Sequence, residues 1–191
     1  ISRTILSGLF KNEYEVIEAT NGEEGFLKLL KQPNKFCAIL LDLNMPVMNG
    51  YDFIKKMKEL NLLGKIPVVV VTAETSEKVE TKVLEMGVDG IIFPMIRNAK
   101  EANEQIASTL YPPYGTRGFG PMGAVNFGYE DAIAYVDDTV NHLCRFIQIE
   151  HVEAIDDLDE IMKNEYIDGY IFGPNDLSGS IGETCRVFEP N

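Results

Sequence analysis

The chain reads as an α/β protein: βα units in alternation, with parallel strands. Two observations carry this prediction. Short runs of strand length, such as Phe36–Leu41 and Pro67–Val71, are apolar almost throughout, where strands covered on one face alternate with polar residues. Each run is followed by a stretch at helical spacing, and strands that alternate with helices imply right-handed crossovers and a parallel sheet. The pattern admits both an open doubly wound sheet and a partial barrel.

The elements follow in order. Ile5, Leu6, Leu9 and Phe10 mark the inner stripe of an opening helix. Tyr14–Ala19 reads as a short strand, with Asn21-Gly22 as the turn after it. A helix over Glu23–Lys31 is closed by Pro33-Asn34. The strand Phe36–Leu41, a helix over Tyr51–Leu60, the strand Pro67–Val71 and a helix over Ser76–Met86 come next. Gly90–Phe93 is a further strand and Ala99–Leu110 a helix. Tyr111–Gly128 is rich in Gly and Pro and reads as a long loop, the kind of segment that often carries function. Helix Asp131–Asn141, strand Arg145–Ile149, helix Ala154–Lys163 and strand Gly169–Phe172 complete the series.

Composition narrows the function classes. Apolar residues at 45% beside charged residues at 25% suit a globular protein, and no apolar run approaches the length that spans a bilayer. The formal net charge of −13 is uneven, with about −2 in residues 1–89 and −11 in residues 90–191. An acidic second half repels phosphate backbones and argues against nucleic-acid binding. Cys37, Cys144 and Cys185 are odd in number and form no CxxC pair. Cys37 and Cys144 lie in apolar runs and read as small buried hydrophobes, so a reducing, cytoplasmic setting is expected. The chain opens on Ile1 inside a helical pattern, as a fragment or processed chain would.

Candidate chemistry gathers where strands end. Asp42 and Thr72 follow successive apolar runs. Glu150 closes the strand that holds Gln148, and Asp176 follows the next one in Gly173-Pro174-Asn175-Asp176-Leu177-Ser178. Two carboxylates at adjacent strand ends, with no lysine nearby, suit a hard divalent cation. Taken alone, Asp176 reads rather as the cap of the following turn and Glu150 as a solvated side chain; together with their flanks they do not. His151 reads as a neighbour of the site or a surface residue and His142 as solvated. Arg117 reads as an anion ligand or as the partner of nearby acids.

Two resemblances meet at Glu85-Met86-Gly87-Val88-Asp89-Gly90. Leu41–Gly50, Val71-Thr72-Ala73 and the helix ending in Glu85-Met86-Gly87 resemble CheY-like response-regulator receiver domains. That resemblance covers residues 1–89 and implies a flavodoxin-like half. In it Asp42 accepts a phosphoryl group from a histidine kinase and ligates Mg²⁺, and Thr72 binds the phosphoryl oxygen. The receiver's first strand with its acidic pair has no counterpart here, and Phe93 stands before Pro94 where receivers place lysine.

Gly90–Ile96, Tyr111–Gly118, Gln148-Ile149-Glu150 and Gly173–Ser178 resemble the class II HpcH/HpaI (citrate-lyase-like) aldolases over residues 82–191. This implies a partial (β/α)₈ TIM barrel over 90–191 and carbon–carbon bond chemistry beside a 2-oxo acid such as pyruvate or oxaloacetate. Glu150 and Asp176 would hold Mg²⁺ or Mn²⁺, and Gln148 would shape the substrate pocket. A homo-oligomer is a further implication. The family's histidine base and its anion-holding arginine have no counterpart, so the catalytic set is incomplete. The sequence thus predicts a partial metal-dependent 2-oxo-acid aldolase joined to a receiver-like segment. The alternatives are a receiver phosphorylated on Asp42 and a chimera without activity.

Overall fold

The computed structural model describes residues 3–71, 77–118 and 129–183. Five strands form one parallel sheet: β1 (Ile39–Asp42), β2 (Val68–Val71), β3 (Gly90–Ile96), β4 (Cys144–Ile149) and β5 (Gly169–Phe172). Their spatial order is their chain order, β1-β2-β3-β4-β5. A doubly wound sheet reverses its order at a switch point, whereas barrels wind in one direction. Among the described strands the winding is the barrel kind.

The helices are α1 (Arg3–Phe10), α2 (Gly22–Lys31), α3 (Gly50–Glu59), α4 (Glu77–Glu85), α5 (Ala99–Thr109), α6 (Tyr129–His142), α7 (Val152–Asp156), α8 (Leu158–Ile161) and α9 (Pro174–Ser180). Asn21, Asn49 and Asn98 sit just before α2, α3 and α5, and each side chain accepts an N–H of the first turn. Apolar residues of α2, α3 and α4 pack with Leu41, Val68 and Val70 in one core cluster. Ala102 and Ile106 of α5 pack with Ile91, Phe93, Ile147 and Ile149 in a second.

The sheet runs without interruption through Gly90. Leu41, Val70, Ile91 and Arg145 lie in one cross-strand row. Asp89-Gly90, where the two resemblances meet, has a structural twin in Asp168-Gly169. The Asp89 carboxylate accepts the Val68 N–H at 2.8 Å, and that of Asp168 accepts the Arg145 N–H at 2.7 Å. The backbone N–H groups of Asp89 and Asp168 donate in turn to the Val68 and Arg145 carbonyls, each at 2.9 Å. Both aspartates therefore clamp the register of a neighbouring parallel strand.

Several expectations are corrected. Tyr14–Ala19 is no strand: it is exposed over most of its length, and Lys28 Nζ and Arg3 Nη1 donate to the Glu18 and Ala19 carbonyls. With no ladder partner among the described residues, these carbonyls are met by side chains instead. A groove of about 530 Å³ separates this segment from β1. Leu9 and Phe10 of α1, two of the four residues of the expected inner stripe, are exposed, and Leu6 is half-buried.

The strand expected at Phe36–Leu41 begins at Ile39 and ends on Asp42. Helix Ala154–Lys163 is two helices, α7 and α8, broken at Asp157, whose carboxylate accepts the Ala99 N–H at 2.6 Å. Cys37 and Cys144 are exposed. Cys144 shares a cross-strand row with Leu40, Val69 and Gly90, and the exposed Leu40 and Cys144 show that this face lacks the cover given by the helices. Cys185, Thr72 and the loop over 119–128 lie outside the described residues.

Candidate functional site

The site is built from the ends of three adjacent strands. In β4 the period of two sends Ile147 and Ile149 into the second core cluster and Gln148 to the opposite face. Gln148 is 2% exposed and Glu150, just past the strand, 3%. The Gln148 amide nitrogen donates to Glu150 Oε2. At the end of β3 the register with β4 shifts between Phe93 and Ile96. Met95 there adopts φ +58°, a left-handed conformation unusual for a residue with a side chain. Pro94 lacks an N–H, and prolines in strands collect at such bulges. The bulge aims the Met95 N–H at Glu150 Oε1, 2.7 Å away.

At the end of β5, Gly173 lies against the same carboxylate. A Cβ at Gly173 would stand 2.7 Å from Glu150 Oε2 and 2.9 Å from Gln148 Nε2, so only glycine lets the chain pass. The turn leads into α9, whose first turn carries the exposed Asp176. Val152 N–H donates to Ser180 Oγ at 3.0 Å, which ties α9 to the start of α7. Asp176 reaches the Glu150 carboxyl. Burial pushes the Glu150 pKa above the ordinary carboxylate range, the Met95 N–H opposes this, and the charge of Asp176 adds to the rise.

This arrangement fits a hard divalent cation. A buried carboxylate faces a second acid, and neither makes an ion pair among the described residues. Among the described residues Gln148 Oε1 is buried without a hydrogen-bond partner, so an orphaned oxygen donor lies beside the two acids. Oxygen donors are the ligands such ions prefer. Among the described residues no cluster of three or more His, Cys, Asp or Glu could hold a metal, so protein acids supply only part of a coordination shell. Mg²⁺ commonly keeps several waters in such sites.

The other candidates are placed elsewhere. Asp42 ends β1, exposed, with Oδ1 accepting the Asn44 N–H at 2.8 Å. His151 caps α7 by accepting the Glu153 N–H at 3.2 Å. His142, exposed, pairs with Asp138 at 2.5 Å. Arg117 is buried against the rings of Tyr111 and Tyr135 and makes no ion pair among the described residues. Sequence reading missed the Met95 amide and Gly173. Proline within the apolar run Gly90–Ile96 was the available signal for the first, and glycine directly before Pro174 for the second.

The paired acids stand at the C-terminal ends of parallel strands wound in one direction, the winding of a barrel. The HpcH/HpaI aldolase/citrate lyase family model matches residues 38–187, and the chain belongs to that family. The match takes in Asp42 and crosses Glu85–Gly90. Among curated relatives, the 2-keto-3-deoxy-L-rhamnonate aldolase of Escherichia coli K12 is 39% identical over 125 residues, which cover 64% of this chain and 46% of that protein. The chain thus spans about half the length of the curated relatives it matches.

Two solved structures share the fold. An HpcH/HpaI aldolase from Desulfitobacterium hafniense DCB-2 has a TM-score of 0.72 at 22% identity, covering 92% of this chain and 66% of that one. An HpcH/HpaI aldolase/citrate lyase family protein from Burkholderia cenocepacia J2315 has a TM-score of 0.74 at 20% identity, covering 90% and 68%. No helix among the described residues is long and apolar enough to cross a membrane.

Proposed function

We propose that this chain carries the metal-binding part of a 2-oxo-acid aldolase, a carbon–carbon lyase acting on a pyruvate- or oxaloacetate-like substrate. The observation that carries it is the buried Glu150 carboxyl facing Asp176 with no cation partner among the described residues. Glu150 and Asp176 hold Mg²⁺ or Mn²⁺, and Gln148 shapes the pocket beside them. When bound, the ion would supply Lewis-acid polarisation of the oxo acid's carboxylate and carbonyl oxygens. The chain's own groups prepare the place: the Met95 N–H and the Gln148 amide orient the Glu150 carboxylate, and Gly173 lets the β5 turn close over it. His151 is engaged as the cap of α7 and His142 pairs with Asp138, so neither serves as the base, and the proposed outcome is cation binding without turnover.

Calorimetric titration with Mn²⁺ tests this. Wild type is expected to bind, and Glu150→Gln and Asp176→Asn to weaken binding by roughly 100-fold, at least the effect of losing an outer-shell partner. Equal affinity in all three proteins would refute the reading. Pyruvate release from 2-oxo-acid aldols, followed in parallel, reports whether the catalytic set is complete.

A second reading keeps residues 1–89 as a receiver-like segment, with Asp42 as phosphoacceptor and Thr72 as its partner. The exposed Asp42 carboxylate at the end of β1 favours it. Acetyl phosphate with Mg²⁺ should then label wild type and leave Asp42→Asn unlabelled; an unlabelled wild type sinks this reading.

A further inference from the structure

We infer that Arg117 is the centre of a second site, for a small oxyanion, at the opposite end of the sheet from Glu150. The chain has 30 Asp and Glu against 17 Lys and Arg. Yet Arg117, 2% exposed, makes no ion pair among the described residues. Its guanidinium lies 4.5 Å from the Tyr111 ring centroid and 5.8 Å from that of Tyr135. Nη1 stands 3.4 Å from the Tyr135 hydroxyl, at the outer limit of a hydrogen bond. Nη2 is buried with no hydrogen-bond partner among the described residues. Ring faces return less than a buried guanidinium loses on leaving water, so the charge is under-compensated.

The neighbouring cation sharpens the imbalance. Arg145, 1% exposed, is satisfied by neutral acceptors: Thr109 Oγ1 at 2.8 Å and the carbonyls of Thr139, Val140 and Leu143 at 2.9, 3.1 and 2.8 Å. Burial lowers its pKa, the charge of Asp168 opposes this, and the charge of Arg117 adds a smaller lowering. Two buried cations therefore lie near each other, and Arg117 alone keeps a free donor. A guanidinium with free N–H groups is the side chain best shaped for a carboxylate or phosphate.

The loop that presents Arg117 is held in place. Thr116 and Arg117 N–H donate to the Ala107 and Leu110 carbonyls at 2.8 and 2.9 Å, and a Cβ at Gly115 would strike the Ala107 oxygen at 2.3 Å. Thr116 and Gly118 on either side are exposed, so solvent is one residue away. Arg145 stands at the start of β4 and Glu150 past its end, about 17 Å apart at the rise of a strand. The two sites are thus separate.

Thermal unfolding of the full chain, at constant ionic strength set with chloride, tests the assignment. Inorganic phosphate is the probe in one series and acetate in another, and the larger shift identifies phosphoryl or carboxylate as the preferred oxyanion. Wild type should show a saturable rise in Tm of roughly 5–10 °C at a hundredfold excess over Kd. Arg117→Gln should lose the shift and Arg117→Lys keep part of it, which serves if Arg117→Gln does not fold. Glu150→Gln should keep the shift; its loss there would move the anion to the acid pair and overturn the site. Two flat series, or an undiminished shift in Arg117→Gln, would also overturn it.

Discussion

Gly173 shows how one residue without a side chain sets the geometry of an acid. Its close approach to Glu150 and Gln148 leaves no room for a methyl group on a backbone tied by the Gly173 N–H to the Ile149 carbonyl at 2.9 Å. Gly173→Ala is expected to cost about 1–3 kcal/mol, the usual penalty of overpacking, and to weaken Mn²⁺ binding with it. Urea unfolding and the calorimetric titration check the two effects. Glu24 is a second residue with a readable cost. Bonds from Lys28 and from the hydroxyl and N–H of Thr20 lower its pKa from 4.5 to about 2. A depressed acid stabilises the fold above its unfolded pKa and loses that contribution as pH falls. Glu24→Gln should therefore flatten the part of the acid-unfolding curve between pH 4.5 and about 2, while wild type declines through it.

At the scale of elements, the Asp-Gly pairs before β3 and β5 act alike. Each aspartate, just before its strand, ties that strand's start to the neighbouring one, Asp89 to Val68 and Asp168 to Arg145. Removing either carboxylate leaves a strand-end N–H without its acceptor. Asp89→Ala and Asp168→Ala are each expected to destabilise by about 1–3 kcal/mol, measured by denaturant midpoint at unchanged slope. The motif Val88-Asp89-Gly90 thus has a structural duty that recurs at Ile167-Asp168-Gly169, and its place at the meeting of two resemblances follows from that duty. Helix breaks show the same economy: Asp157 divides α7 from α8 because its carboxylate is committed to the start of α5. Spacing of apolar residues over Ala154–Lys163 reports one helix, since periodicity records which face is buried and carries no sign of a distant N–H.

For the whole molecule, the sheet sets the order of stability. β3 is flanked on both sides, and residues 90–94 are all buried, whereas α1 and residues 11–19 are largely exposed. Amide hydrogen exchange should find β3 and the core of β4 slowest and residues 11–19 fastest. Equal protection across these segments would contradict the packing described. The βα alternation, the parallel strands and the bounds of β5 were legible in the chain, because continuous apolar runs and helical stripes are local consequences of which faces meet water. The places of Gln148, Glu150 and Asp176 at or just past adjacent strand ends were legible from the ends of the apolar runs. Other features belong to tertiary structure alone: the irregular, exposed Tyr14–Ala19, the exposed Cys37 and Cys144, the Met95 N–H on Glu150 and the stacked Arg117, without an ion pair among the described residues. The physical reason is range. Burial pattern is written residue by residue, whereas a strand needs a partner edge and a charge needs a neighbour, both supplied by segments tens of residues away.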